Sequence, residues 1–241
     1  MRRVLILELR KEHENMNIKV WTADVGALDN DELFRWLYAR VSDGRKEKID
    51  RMRFRKDKNL SLGAGVLLEN ALAVLGVQDR TMSWEKNQKP CLAHRSDIKF
   101  NLSHSGTKVM CAISDSDIGC DVEKIGSVDW DMARLFFCGD EYDALLKCPD
   151  GDMRRQLFFR YWTMKESFMK ATGLGLMLPL DAFCMRFDGS AFSVRQYVDN
   201  RRYFFRELPL DDGYQYAICS AEKPVDTAEV AVAAWEQVFH S

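Results

Sequence analysis

The sequence predicts an α+β fold. Three observations carry that reading. Leu60–Leu75 is apolar at helical spacing and runs up to Gly76, a residue suited to end a helix. Ile118–Glu123 reads as a strand, with Ile118, Cys120 and Val122 on one face and Gly119, Asp121 and Glu123 on the other. A second long helical stretch, Arg154–Thr172, precedes short alternating runs such as Phe183, Met185, Phe187 and Tyr214, Tyr216, Ile218. Helices and strands thus occur in both halves of the chain.

Taken in order, Val4–Leu9 is the first strand candidate and Lys19–Trp21 the second. Met1-Arg2-Arg3 is a basic start, but Glu8 and Arg10 break the apolar run that follows, which is too short for the apolar region of a signal peptide. Asp29–Tyr38 is expected to be helical: Leu33, Phe34 and Leu37 recur behind Asp29-Asn30-Asp31, which suit an N-cap. A basic segment, Arg45 to Lys58, comes before the Leu60–Leu75 helix. Phe100–Gly106 leads into a strand at Val109–Ile113, a polar turn at Ser114–Asp117 and the Ile118–Glu123 strand. Helices are expected at Asp131–Phe137, Asp140–Leu146 and Arg154–Thr172, and short strands from Phe183 to Ala221. The sequence shows no internal repeat and no low-complexity linker.

The chain has 241 residues, 46% hydrophobic and 30% charged, which fits a soluble globular protein of one large or two small domains. Its formal net charge is −2, whereas proteins that live on nucleic-acid phosphates carry a positive excess. No nucleic-acid partner is therefore expected, and a bound phosphate would belong to a small ligand met by a local basic cluster. No apolar stretch reaches the roughly 18 residues that a membrane span needs. The seven cysteines are odd in number, widely spaced and without a CxxC, which argues against a disulfide framework and a zinc site. Most read as small buried hydrophobes, and a reducing cytoplasm is the expected compartment.

Asp121 and Glu123, two apart on one strand, share a face and offer hard oxygen ligands suited to Mg²⁺. Taken alone, a solvated strand face with a chance Asp-x-Glu triplet is the simpler account of them. On the long helix, Leu157, Tyr161, Met164 and Phe168 form one apolar stripe, with Phe158, Phe159, Trp162, Glu166 and Lys170 nearly opposite. Such a helix is covered on both sides. Glu166 and Lys170 then form an internal ion pair, or Glu166 completes a metal site while Lys170 meets a phosphate. His104, within Asn101-Leu102-Ser103-His104-Ser105-Gly106, suits a phosphate cradle or a polar turn. Ser103 and His104 do not make a hydrolase pair, because adjacent strand residues face apart and no nucleophile elbow is present. The basic segment is a solvated face by default, from which a few side chains could grip a phosphate.

These pieces occur together, and in order, in the surfactin-synthetase-activating (Sfp) type of 4′-phosphopantetheinyl transferase, which the sequence resembles along nearly its whole length. The strand motif Gly-x-Asp-x-Glu stands at Gly119–Glu123. The helix motif Trp-Ser/Thr-x-Lys-Glu-Ser/Ala-x-x-Lys is Trp162–Lys170. Phe-Asn-Leu-Ser-His-Ser is complete at Phe100–Ser105, and Phe-x-x-x-Glu matches Phe137 to Glu141. The resemblance implies two similar α+β halves related by a pseudo-twofold, residues 1–116 and 117–241, with coenzyme A between them. The first half would contribute to coenzyme A binding; the second would hold Mg²⁺ and the catalytic groups. It implies Asp121, Glu123 and Glu166 as Mg²⁺ ligands, and Ser103 and His104 as coenzyme A contacts, the histidine at the 3′-phosphate. Lys170 would contact the pyrophosphate, and Arg45, Lys48, Ser61 and Lys89 would complete the coenzyme A site. Arg45 replaces a more familiar lysine, and Gln88 precedes Lys89 where the family has glycine.

The implied reaction is attack of a carrier-protein serine on the β-phosphorus of coenzyme A, releasing adenosine 3′,5′-bisphosphate. Glu166 is the candidate base, and Lys170 offsets developing charge. The partner is an apo acyl or peptidyl carrier protein, docking near Lys124–Trp130, and the chain is expected to be a monomer. A Mg²⁺-dependent phosphohydrolase and a non-catalytic coenzyme A-binding module are the competing readings.

Overall fold

Each element grows from local signals. The structure is a computed structural model in which residues 18–85, 87–149, 151–189, 191–226, 228–233 and 235 are described. The expected strand at Val4–Leu9 lies outside them. Strand β1 is Lys19–Asp24. Helix α1, Asp31–Tyr38, is capped by Asn30, whose side chain accepts from the N–H groups of Glu32 at 2.9 Å and Leu33 at 3.0 Å. The basic segment holds a helix of its own, α2 (Asp43–Asp50), capped by Ser42. Helix α3 spans Arg55–Val74 and begins earlier than the apolar periodicity indicated. Arg55 opens it by bonding Asn59 one turn on, Asp31 and the Leu28 carbonyl.

A short hairpin follows, β2 (Met82–Trp84) and β3 (Pro90–Leu92), and then β4 (Lys99–Ser105), β5 (Lys108–Ser114) and β6 (Ile118–Lys124). Helices α4 (Trp130–Phe136), α5 (Gly139–Lys147) and α6 (Asp152–Thr172) come next, then strands β7 (Cys184–Phe187), β8 (Phe192–Arg195), β9 (Tyr203–Glu207), β10 (Tyr214–Ala221) and β11 (Glu229–Val232). The larger sheet has the order β11-β1-β5-β4 and the second β6-β10-β9. Strand β11 lies parallel to β1, so the end of the chain returns to the first sheet. Among the described residues, no helix is long and apolar enough to cross a membrane.

Strand parity builds the layers. On β5, Val109, Cys111 and Ile113 join the cluster formed with α3 residues such as Leu62 and Leu67. Met110 and Ala112 point the other way, into a cluster with Ile118, Cys120 and Val122 of β6 and Tyr216 and Ile218 of β10. Helix α6 covers the outer face of the second sheet, where Met164 and Phe168 pack with Ala217 and Cys219. A helix thus covers each sheet, and the sheets share the apolar layer between them.

A buried ion pair fixes α6. The Lys165 ammonium donates to both Glu141 oxygens, at 2.8 and 2.7 Å, and to the Phe183 carbonyl at 2.8 Å. Glu141 also accepts from the Met185 N–H at 2.6 Å and the Cys138 N–H at 2.9 Å. Both side chains have 0% exposure, a placement tolerable only because their polar atoms are paired.

The same corner corrects the cysteine reading. Cys138, the N-cap of α5, is disulfide-bonded to Cys184 at the start of β7, 46 residues on. Folding through the Glu141 network brings these residues together, and linear spacing carries no trace of it. Cys111, Cys120 and Cys219 are buried free thiols, as expected.

Candidate active site

Gly119 sets how closely α6 approaches β6. A Cβ at that position would stand 2.0 Å from the Ser167 carbonyl oxygen and 2.5 Å from the Ala171 nitrogen. Without it, the helix backbone lies directly on the strand, and Lys170 and Glu166 come over the face that carries Asp121 and Glu123. The Lys170 ammonium reaches Asp121 Oδ1 at 2.6 Å, Ser103 Oγ at 3.0 Å and the Cys120 carbonyl at 3.2 Å. Of the two sequence options for this lysine, the internal pair with Glu166 gives way to a bond across to the strand.

Strand β4 supports this face from the first sheet. Phe100 and Leu102 turn towards the α3 core, so Asn101, Ser103 and Ser105 turn towards β6. Ser103 Oγ donates to Asp121 Oδ1 at 2.8 Å, and Ser105 Oγ donates to Glu123 Oε2 at 2.7 Å. His104 falls on the α3 side of the strand.

Asp121 is buried, and its Oδ2 atom is enclosed without a hydrogen-bond partner. Burial pushes the Glu166 carboxyl above its usual range, and Asp121 and Glu123 add to the rise. Burial likewise raises Glu123, opposed by Ser105 and reinforced by Asp121. Burial works against the Lys170 charge, yet Asp121, Cys120 and Glu166 together hold the ammonium above its usual value. Three carboxyl groups within reach of one another's charge, one with an orphaned oxygen, offer hard ligands that a divalent cation could draw together. Among the described residues, no three acidic, histidine or cysteine side chains already stand gathered as a metal cage. Asp121 instead has one oxygen committed to Lys170 and Ser103.

Positive groups lead away from this cluster. Burial lowers the His104 imidazole, followed by the charges of Lys170 and Lys48. Burial lowers Lys48 too, with Arg45 next to it. The Arg45 stem lies over Gly65 of α3, where a Cβ would meet its Nε at 2.9 Å. Arg45 and Lys48 line a cavity of about 740 Å³ between α2 and the β2–β3 hairpin, with Arg51, Met82, Trp84 and Pro90. Glu47 lines the same cavity, and burial of the Arg45 charge is offset in part by the Glu69 carboxylate.

A family model described as the 4′-phosphopantetheinyl transferase superfamily matches residues 117–219. The 4′-phosphopantetheinyl transferase Sfp of Bacillus subtilis (strain 168) is 32% identical over 204 residues, covering 83% of this chain and 90% of that protein. The chain belongs to the 4′-phosphopantetheinyl transferase superfamily. The 4′-phosphopantetheinyl transferase psf-1 of Bacillus pumilus is 31% identical, over 83% of this chain and 86% of its own. The holo-[acyl-carrier-protein] synthase of Thermotoga maritima superposes with a TM-score of 0.39 at 19% identity, covering 45% of this chain and 64% of its own, a likeness too slight to argue from.

In this transferase, Ser103, Asp121 and Lys170 form one hydrogen-bonded cluster. Glu123 and Glu166 are electrostatically coupled to it, and His104, Lys48 and Arg45 continue it towards the cavity. Lys89 sits elsewhere: its ammonium donates to the Ile118 carbonyl at 3.0 Å and the Lys170 carbonyl at 2.6 Å, tying the hairpin to strand and helix. Ser61 is buried on α3 with its hydroxyl unpartnered. The sequence reading gave no role to Ser105, Lys165 or Glu141, although each lies in a quoted motif. The all-round apolar character of α6 was the signal available for Lys165, since a charge on such a helix needs a buried partner.

Proposed function

We propose that this chain transfers 4′-phosphopantetheine from coenzyme A to a serine of an acyl or peptidyl carrier protein, using the face shared by β4, β6 and α6. The observation that carries this reading is the run of Arg45, Lys48, the His104 imidazole and Lys170 from an open cavity to the carboxylates around buried Asp121. It matches a ligand with one phosphate at its nucleotide end and two more along its arm. Arg45 and Lys48 bind the nucleotide end in the cavity, where the Trp84 ring borders the space. His104 meets the 3′-phosphate. Ser61 and Lys89 complete the binding region, Lys89 by holding its walls.

Asp121, Glu123 and Glu166 would hold Mg²⁺, and Asp121 Oδ2 is the atom that most needs it. When bound, Mg²⁺ neutralises charge on the pyrophosphate oxygens. Lys170 lies against the same oxygens and offsets negative charge as the leaving group departs. The carrier serine Oγ forms a bond to the β-phosphorus while the bond from that phosphorus to the bridging oxygen breaks. Adenosine 3′,5′-bisphosphate leaves with that electron pair. Glu166 accepts the serine proton, a task suited to a carboxylate whose burial raises its proton affinity. Residues 1–116 and 117–241 act as two halves meeting at the β4–β6 seam, with β11 returned to the first sheet. The carrier docks beside Lys124–Trp130, where Trp130 is 41% and Leu135 on α4 68% exposed. The protein works as a monomer without nucleic acid or membrane, the net charge of −2 supporting the former exclusion; a cytoplasmic setting fits the five free cysteines, while Cys138–Cys184 is the one bonded pair among the described residues.

Glu166→Gln tests the assignment. The variant is expected to melt like the parent, retain coenzyme A in calorimetry and lose most transfer. Turnover at the parent rate would overturn the role of Glu166 as base.

A further inference from the structure

The seam between β4 and β6 is closed by side chains that take the place of main-chain acceptors. Asn101 Oδ1 accepts from the Cys120 N–H at 2.9 Å, Ser103 Oγ from the Val122 N–H at 3.3 Å and Ser105 Oγ from the Lys124 N–H at 3.1 Å. Every second residue of β4 thus meets every second N–H of β6, the groups left outward when β6 pairs with β10 on its other edge. Each serine does a second thing. Its one hydroxyl proton is donated to the carboxylate just before the N–H it accepts from: Ser103 to Asp121, Ser105 to Glu123.

The two serines therefore have fixed hydroxyl orientations. A hydroxyl that accepts from a backbone N–H of β6 has its proton directed towards the neighbouring side chain. Asp121 has Lys170 as an additional anchor. Glu123 is longer and half-buried; the Trp162 side chain also bonds it, and the Ser105 hydroxyl, the stronger of the two influences, grips its Oε2 while the Lys124 N–H holds the hydroxyl in place.

We propose that Ser105 is a positioning residue for Glu123, holding its carboxylate beside Asp121 ready for a divalent cation. The proposal rests on the reading of Asp121, Glu123 and Glu166 as the Mg²⁺-binding set. It gives the second serine of the Phe100–Ser105 stretch a role distinct from coenzyme A contact.

The test measures Mn²⁺ binding to the substrate-free protein by electron paramagnetic resonance, for the parent, Ser105→Ala, Ser105→Thr, Glu123→Gln and the Ser105→Ala/Glu123→Gln double variant. Melting temperatures and the apparent KM for coenzyme A are recorded alongside. Loss of one charge-assisted hydrogen bond predicts that Ser105→Ala weakens Mn²⁺ about tenfold. The Mg²⁺ concentration for half-maximal transfer rises in step, and the KM for coenzyme A stays fixed. Ser105→Thr restores binding, and in the Glu123→Gln background Ser105→Ala adds nothing. Parent-like Mn²⁺ binding by Ser105→Ala, with Glu123→Gln weakened, would overturn the proposal and leave the metal reading standing. Parent-like binding by Glu123→Gln would remove both. An effect that adds fully to Glu123→Gln, or that tracks a fall in melting temperature without rescue by threonine, would show Ser105 to be a seam contact only.

Discussion

Replacing Gly119 by alanine probes the geometry on which the site depends. The added methyl would meet the Ser167 carbonyl oxygen at 2.0 Å, the Ala171 nitrogen at 2.5 Å and the Lys170 carbonyl carbon at 3.0 Å. All three are helix backbone, so no side-chain rotation relieves the clash. Ordinary contact begins near 3.4 Å, so α6 must withdraw by more than 1 Å. Forcing a methyl into a packed contact of this kind costs about 3 kcal/mol. For a chain of this size that lowers the melting temperature by roughly 6–12 °C. The same withdrawal carries Lys170 away from Asp121, whose 2.6 Å bond does not survive it. A misplacement of about 1 Å in a preorganised site reduces turnover about 100-fold. Scanning calorimetry and transfer kinetics on Gly119→Ala read the two effects. A variant with the parent's melting temperature and turnover would refute the close approach of α6 and the reason for a glycine at this point of the motif.

Three further outcomes follow from the same packing. Lys165→Met leaves Glu141 charged and buried without its cation and should cost about 3–5 kcal/mol in denaturant unfolding; a loss below about 1 kcal/mol would contradict the closed network. Reduction of Cys138–Cys184, or replacement of both cysteines by serine, releases a cross-link spanning 46 residues and should cost about 4 kcal/mol, seen as a lower melting temperature with reductant; an unchanged temperature would count against the bond. Burial, Lys170 and Lys48 hold the free His104 imidazole low, and a bound phosphate would raise it, so coenzyme A binds with proton uptake between those two values. Calorimetry should show affinity falling as pH rises through that window and a flatter profile in His104→Gln. An equal slope in both proteins would remove the histidine from the phosphate site.

Much of this architecture was legible because parity and periodicity are local. Ile118–Glu123 sorts its side chains as alternation required, and the strand runs only one residue further, to Lys124. The long helix expected at Arg154–Thr172 begins at Asp152 and ends before Gly173, which adopts a left-handed conformation at φ 73°. Other features depend on distant partners and leave little local trace. Strand β11 is exposed along its length and exists because β1 offers a free edge, so its residues show no buried face to read. Helix α2 lies in a run dominated by charge, with Ile49 its buried residue, and the cap at Ser42 was the one local signal. The β2–β3 hairpin is too short to show a period. In the site, Asp121 and Glu123 stood out as paired carboxylates on one strand face, and Glu166 and Lys170 as charges on an otherwise apolar helix face. Ser105 did not, because a hydroxyl acquires meaning only when a strand 18 residues away supplies the carboxylate. Lys89 carried a motif signal for the ligand, while its ammonium lies on two carbonyls that only the tertiary fold brings near.

The most direct test of the account is intact-protein mass spectrometry of apo-carrier proteins incubated with this chain, coenzyme A and Mg²⁺. The account predicts a mass gain of one phosphopantetheine group on at least one carrier, abolished by EDTA and by Asp121→Ala while the variant remains folded. No gain on any carrier in a panel of fatty-acid, polyketide and peptide synthetase carriers, with coenzyme A still bound, would contradict it.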